Sequence, residues 1–179
     1  MSTHPALSGG AGWSATELRS RVHVADGAWS TVLRAAMPLP APPAEQLNLA
    51  SPQVVLELAE QYVAAGVDVL TTNTFACNRF AWQGRPEEAL SLAREGALLG
   101  RAAIGAGSAL LVGVLGPTGR ILSVQEITNA EATAAFAESA RALADGGVDA
   151  IALETFSELH ELLVAVDAAL QLKSGDRPQ

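Results

Sequence analysis

One ten-residue pattern occurs twice in this chain, and it restricts the fold more than any other feature. Gly66-Val67-Asp68-Val69-Leu70-Thr71-Thr72-Asn73-Thr74-Phe75 returns as Gly147-Val148-Asp149-Ala150-Ile151-Ala152-Leu153-Glu154-Thr155-Phe156. In each copy a glycine ends a helical stretch and an aspartate sits in the tight turn that follows. An apolar run suited to a strand comes next, then a polar residue and Thr-Phe. Asn73 and Glu154 are therefore equivalent positions, each emerging at the carboxyl end of a strand.

The rest of the chain fills in the same alternation. Residues 21–25 read as a strand stopped by Asp26-Gly27, and residues 31–37 as one or two helical turns. The proline-rich segment 38–43 can be neither helix nor inner strand, because proline lacks the N–H and fixes φ. Ser51-Pro52 opens a helix with Val55, Leu58, Ala59 and Tyr62 on one stripe, closed by Gly66. Strand 67–71 follows, then helix 86–103 with Ala89, Leu92, Ala93 and Leu99 inward, then strand 109–115. Thr128-Asn129-Ala130-Glu131 fits a capping box for a helix reaching Ala144. Strand 148–153 comes next, and Ser157 is placed to cap a last helix ending near Leu172.

Strands that are continuous apolar runs, alternating with helices, predict an α/β fold with a parallel sheet covered by helices. The repetition favours a barrel of βα units over an open sheet with a reversal point. Residues 1–20 read as a tail and 21–179 as a single domain.

Composition excludes several functions. Eleven Lys and Arg against nineteen Asp and Glu, a net charge of −8, lack the basic face that nucleic acid or an anionic membrane would want. A single cysteine, Cys77, excludes an internal disulfide and a self-contained thiolate metal cage, and reads as a small buried hydrophobe. No apolar run approaches ~18 residues, and the start lacks a secretory pattern, so a cytoplasmic protein is expected.

In a parallel α/β fold the carboxyl ends of all strands share one face, and ligands bind there. That face would collect Asp26-Gly27, Asn73-Thr74, the loop Gly116-Pro117-Thr118-Gly119, and Glu154-Thr155. Two carboxylates suit an ammonium group or acid–base work. The N–H groups of Gly27, Ala28 and the Gly116–Gly119 loop suit a carboxylate. Together they point to an α-amino acid. Asp before Gly is also ordinary turn composition, whereas an unpaired buried carboxylate at position 154 would be expensive without a role. His4, His23 and His160 have no partner at metal-ligand spacing. Trp29 and Phe75 read as packing residues. Gly105-Ala106-Gly107 precedes a strand, so it fails as a dinucleotide fingerprint, and no nucleophile elbow supports hydrolase chemistry.

The ordered set Asp26-Gly27-Ala28, Glu45-Gln46-Leu47-Asn48-Leu49 with Ser51-Pro52, Ala65-Gly66-Val67-Asp68, Thr72-Asn73-Thr74-Phe75 with Asn78, Gly116-Pro117-Thr118-Gly119 and Glu154-Thr155-Phe156-Ser157 resembles the homocysteine S-methyltransferase family. The resemblance runs from about residue 22 to 172. It implies a TIM-type (β/α)8 barrel, a zinc ion that holds homocysteine as a thiolate, and methyl transfer to that sulfur to give methionine. By the same resemblance Asp26 and Glu154 hold the substrate amino group, Gly27 and Ala28 contribute at the mouth, and Asn73 shapes the floor beside the metal.

The sequence departs from the family in two places. Trp29-Ser30 stands where the family has Met or a similar residue and then Gly. The family's three zinc-ligand cysteines match no position here, Cys77 included, and the sequence ends at Asp176-Arg177-Pro178-Gln179 where a fifth strand would begin. About four βα units, half a barrel, are thus expected. Such a half would need a complement, either a separately encoded second half or a copy of itself. The competing expectation is a non-catalytic half-barrel that binds or assembles.

Overall fold

The structure, a computed structural model, describes residues 14–35 and 43–172. The expectations on His4, on prolines 38–42 and on the last residues, 176–179, lie outside them.

A capping box starts the described chain: Glu17 N–H donates to Ser14 Oγ at 3.2 Å, and Ser14 N–H to the Glu17 carboxylate at 2.6 Å. Helix α1 (Ala15–Ser20) follows, inside the stretch expected as a tail. Helix α2 (Trp29–Ala35) buries Trp29 and Leu33. A 3-10 turn (Ala44–Gln46) leads into α3 (Leu47–Ala50), and α4 (Pro52–Ala64) begins at the expected proline. The Ser51 side chain makes no cap bond, so proline at the first helical position marks this start by itself.

Strand β1 (Val69–Thr71), helix α5 (Pro86–Ile104), strand β2 (Leu110–Leu115), helix α6 (Asn129–Asp145), strand β3 (Ala150–Leu153) and helix α7 (Leu159–Gln171) complete the order. The Thr128–Glu131 capping box forms as expected. The last helix is capped one residue later than expected, at Glu158, whose carboxylate instead accepts the N–H groups of Leu122 and Ser123 at 3.0 and 3.3 Å.

Among the described residues the sheet has three strands, β1-β2-β3, all parallel. The strand expected over 21–25 is reduced to a bridge between Ala25 and Val69. Its backbone lies along β1, with Asp68 N–H and Asp26 N–H bonded to Val24 O and Val69 O at 2.8 and 3.1 Å. Val22 and Val24 are 86% and 58% exposed, so no packed face holds a longer pairing there. The fold is α/β with a parallel sheet, as a partial TIM-type barrel has.

β2 is the buried centre, with Leu111 and Leu115 closed to solvent. The edge strand β3, by contrast, is only half-buried along its length. Three apolar clusters fill the layer between sheet and helices: Leu70, Val55, Leu58 and Leu111 toward α4; Leu92, Ala93, Ala97 and Leu143 between α5 and α6; Leu115, Phe136, Ala165 and Ala168 toward α7.

The repeated pattern builds the same base twice. Gly66 and Gly147 leave their helices at φ of 86° and 87°, a region that L side chains avoid. Asp68 then grips the Arg21 guanidinium, with contacts of 2.6 and 2.9 Å, and accepts Val24 N–H at 2.9 Å. Asp149 grips Arg101 at 2.8 Å and accepts Leu111 N–H at 2.8 Å. Each aspartate thus ties the start of its own strand to the backbone beside it, the 21–25 segment for Asp68 and β2 for Asp149.

Candidate functional site

The carboxyl ends of the strands converge on a cavity of about 360 Å³. Its lining includes Asp26, Gly27, Ala28, Asn73 and Glu154, together with Trp29, Phe75 and Val114. The expected site residues are therefore brought to one place from positions far apart in the chain.

Asp26 extends from the segment beside β1 and is held by one oxygen. Its Oδ2 accepts Trp29 Nε1–H at 2.8 Å, Thr71 N–H at 3.0 Å and the Thr71 hydroxyl at 2.9 Å. No donor among the described residues reaches Oδ1. Trp29, expected only to pack, does pack: it is buried, edge-on to Tyr62 with ring centroids 5.7 Å apart. It also supplies an N–H to the site, which an aromatic read from sequence alone does not advertise. The signal available was its spacing, three residues after Asp26 across a helix start. Thr71 and Tyr62 were likewise missed.

Tyr62 closes the back of the Asp26-Gly27-Ala28 turn. Its hydroxyl donates to Ala28 O at 3.1 Å, and a β-carbon on Gly27 would meet that hydroxyl at 3.1 Å. Burial first, and the Asp26 charge second, push the Tyr62 hydroxyl pKa up.

Asn73 lies 3% exposed at the back wall. Its amide N–H groups go to Ala44 O and Asn48 Oδ1, both at 2.9 Å, and Asn48 returns bonds to Asn73 O at 2.8 Å and Leu92 O at 2.9 Å. Its side chain fastens the 44–48 turn to the end of β1. Thr72 and Thr74 do the same toward β2: Thr72 Oγ1 accepts Val114 N–H at 3.0 Å, and Thr74 Oγ1 donates to Val114 O at 2.7 Å.

Glu154 differs in every respect. Only its backbone is bonded, N–H to Leu115 O at 3.1 Å. The side chain is exposed and meets no donor among the described residues, which corrects the expectation of a buried carboxylate. Partial desolvation first, and the Asp26 charge second, raise its pKa. Thr155, the next residue, stands at φ 62°, an outlier for a β-branched residue.

The Gly116–Gly119 loop does not line the cavity. Gly116 N–H is bonded to Phe75 O at 3.0 Å and Thr118 N–H to Glu161 Oε1 at 2.8 Å, so these two N–H groups of the expected carboxylate cradle are already taken within the fold. Gly27 and Ala28 remain, with no acceptor for their N–H groups among the described residues.

The residues present do not fit a zinc ion. Among the described residues no cluster of three or more His, Cys, Asp or Glu could hold a metal. Cys77 is 1% exposed inside an apolar cluster, and burial followed by the nearby Glu45 charge pushes its thiol pKa well up, away from the thiolate that binds metal. His23 and His160 lie off the cavity lining, His160 against Asn129 Oδ1 at 2.9 Å. No helix among the described residues is long and apolar enough to cross a membrane. The cavity is an open, acidic mouth, and an acidic mouth attracts a cationic group.

The chain is 33% identical over 162 residues to the methionine synthase of Mycobacterium tuberculosis (strain ATCC 25618 / H37Rv), covering 83% of this chain and 14% of that protein. Its fold matches the crystal structures of the homocysteine methyltransferase MmuM from Escherichia coli. The metallated form superposes with a TM-score of 0.73 at 22% identity, covering 88% of this chain and 62% of that one. The apo form gives 0.67 at 22% identity, with 86% and 56% covered. The chain thus spans less than two thirds of the length of each of these relatives. Residues 23–177 match the model of the family described as homocysteine S-methyltransferase, and by that match, which takes in most of its length, the chain belongs to this family.

Proposed function

We propose that the cavity binds homocysteine by its amino-acid end, as the substrate site of methyl transfer to the homocysteine sulfur to give methionine. The observation that carries this is the meeting of Asp26 and Glu154 at one mouth beside the N–H groups of Gly27 and Ala28. Two carboxylates set near each other repel, and an ammonium between them turns that repulsion into two charge-assisted contacts. The substrate carboxylate takes the Gly27 and Ala28 N–H groups, and Asn73 keeps the floor rigid. Membership of the family and the activities for which the relatives are named support the choice of amino acid. Activation of the sulfur is assigned to no described residue, because none fits the family's zinc.

The bridge at Ala25 and strands β1 to β3 are four consecutive strand positions of a (β/α)8 barrel, within one domain over residues 21–179. The half-exposed edge at β3 supports pairing with further βα units.

Calorimetric titration of the chain with homocysteine, with and without zinc, tests the site. Heat of binding is expected without zinc, and Glu154→Gln should weaken it at least about tenfold, the value of one charge-assisted contact. No heat with wild type, or an unchanged Glu154→Gln, overturns the proposal. The pH profile has a definite sign. The Glu154 pKa is raised, so binding should strengthen as pH rises through a value above the ordinary 4.5, and weaken again once the ligand amine loses its proton.

A further inference from the structure

We propose that Trp29 and Thr71 are positioning residues that lock the Asp26 carboxylate so that its second oxygen, Oδ1, is the one offered to the ligand's amino group. This rests on the amine-binding reading of the cavity. The argument begins with an asymmetry. Three donors, Trp29 Nε1–H, Thr71 N–H and the Thr71 hydroxyl, converge on Oδ2 within 3.0 Å, while Oδ1 has none among the described residues. A carboxylate with one saturated oxygen cannot turn about its terminal bond without breaking three hydrogen bonds, so the free oxygen has one direction.

Both residues sit on rigid supports. Thr71 is the last residue of β1, and its N–H points toward the Asp26 segment, where the Asp26 carbonyl would otherwise continue the parallel ladder begun by Asp26 N–H to Val69 O. The side chain takes that N–H instead, which pulls the carboxylate in against the sheet. Trp29 is the first residue of α2, and its ring is wedged edge-on against Tyr62. Its indole N–H is shared between Asp26 Oδ2 and Thr71 Oγ1, 2.8 and 3.0 Å away, so it braces both members at once. A smaller or purely apolar residue at position 29 could fill space but could not do this. The clamp thus fixes one of the two carboxylates that flank the ammonium group.

The test compares two ligands on the full chain: homocysteine, and 4-mercaptobutanoate, which keeps the thiol and carboxylate but lacks the amino group. Trp29→Phe retains an aromatic ring against Tyr62 and removes the N–H. Thr71→Val retains the shape and removes the hydroxyl. Each should weaken homocysteine about fivefold to tenfold, the value of one lost hydrogen bond, and leave the amine-free analogue unchanged. Thr71→Ser should restore homocysteine binding. Equal weakening of both ligands would show that these residues only pack, and no change in either ligand would show that Asp26 needs no clamp; both results overturn the inference. Should Trp29→Phe fail to fold, Thr71→Val and Thr71→Ser carry the same comparison. A wild-type chain that binds both ligands equally would instead overturn the amine-binding reading beneath it.

Discussion

The two copies of the repeated pattern share a base and part company at the top. At the base, Gly66 and Gly147 turn at nearly the same φ, and Asp68 and Asp149 each bind an arginine and a backbone N–H of the neighbouring segment, Val24 for Asp68 and Leu111 of β2 for Asp149. At the top, Asn73 is buried with its amide N–H groups committed to Ala44 and Asn48, while the equivalent Glu154 is exposed and makes no side-chain bond among the described residues. The base is where a strand must be tied to its neighbour, so the same chemistry recurs. The strand end is free of that duty, and one copy uses it to hold a turn while the other leaves it open to solvent.

The largest expected effect exploits this division. Asn73→Ala strands the Ala44 carbonyl and the Asn48 amide oxygen in a buried site, and should cost about 2–4 kcal/mol of stability. Glu154→Ala breaks no intramolecular side-chain contact and should change stability by less than about 0.5 kcal/mol, while still removing homocysteine binding. Urea unfolding of the two variants measures the contrast. Similar losses of stability would mean that the two strand ends are structurally equivalent after all.

The same division explains what was legible beforehand. The alternation of elements, the capping box at Thr128 and the convergence of Asp26, Asn73 and Glu154 on one cavity follow from local rules of period, turn and strand polarity, and those were readable. The strand over 21–25 was not, because whether an apolar run becomes a full strand depends on packing against its faces, which Val22 and Val24 lack. The state of Glu154 was misjudged for a related reason: position 154 ends an apolar run, but β3 is a half-buried edge, so the run does not carry its last residue into the interior. The hydrogen bonds of Trp29 and Thr71 to Asp26 depend on side chains brought together by tertiary structure, to which a pattern along the chain is blind.

A smaller effect lies at the first base and depends on pH. Arg21 first, and the Val24 N–H second, hold the Asp68 carboxyl well below its ordinary value of 3.8. A depressed folded pKa contributes stability that is present above the unfolded value and is lost as pH falls through the folded one. Asp68→Asn should therefore lower stability at neutral pH and flatten the acid limb below about pH 4, as followed by circular dichroism in an acid titration. An acid limb of unchanged slope would mean that the exposed Arg21 leaves Asp68 on solvation alone.

The smallest effect reverses sign between the copies. Thr155 sits at φ 62°, where a β-branched side chain is strained by on the order of 1 kcal/mol, whereas Thr74 stands outside the left-handed region and donates its hydroxyl to Val114 O. Thr155→Gly releases the strain but also frees the unfolded chain, so the net gain should be no more than about 0.5 kcal/mol. Thr74→Gly has no strain to release, removes a buried hydroxyl from its acceptor and should destabilise. Thermal melts of the pair decide the point. A destabilised Thr155→Gly would mean that the threonine side chain supports the Glu154 turn by contacts worth more than its backbone strain, and the open strand end would then be as firmly built as the closed one.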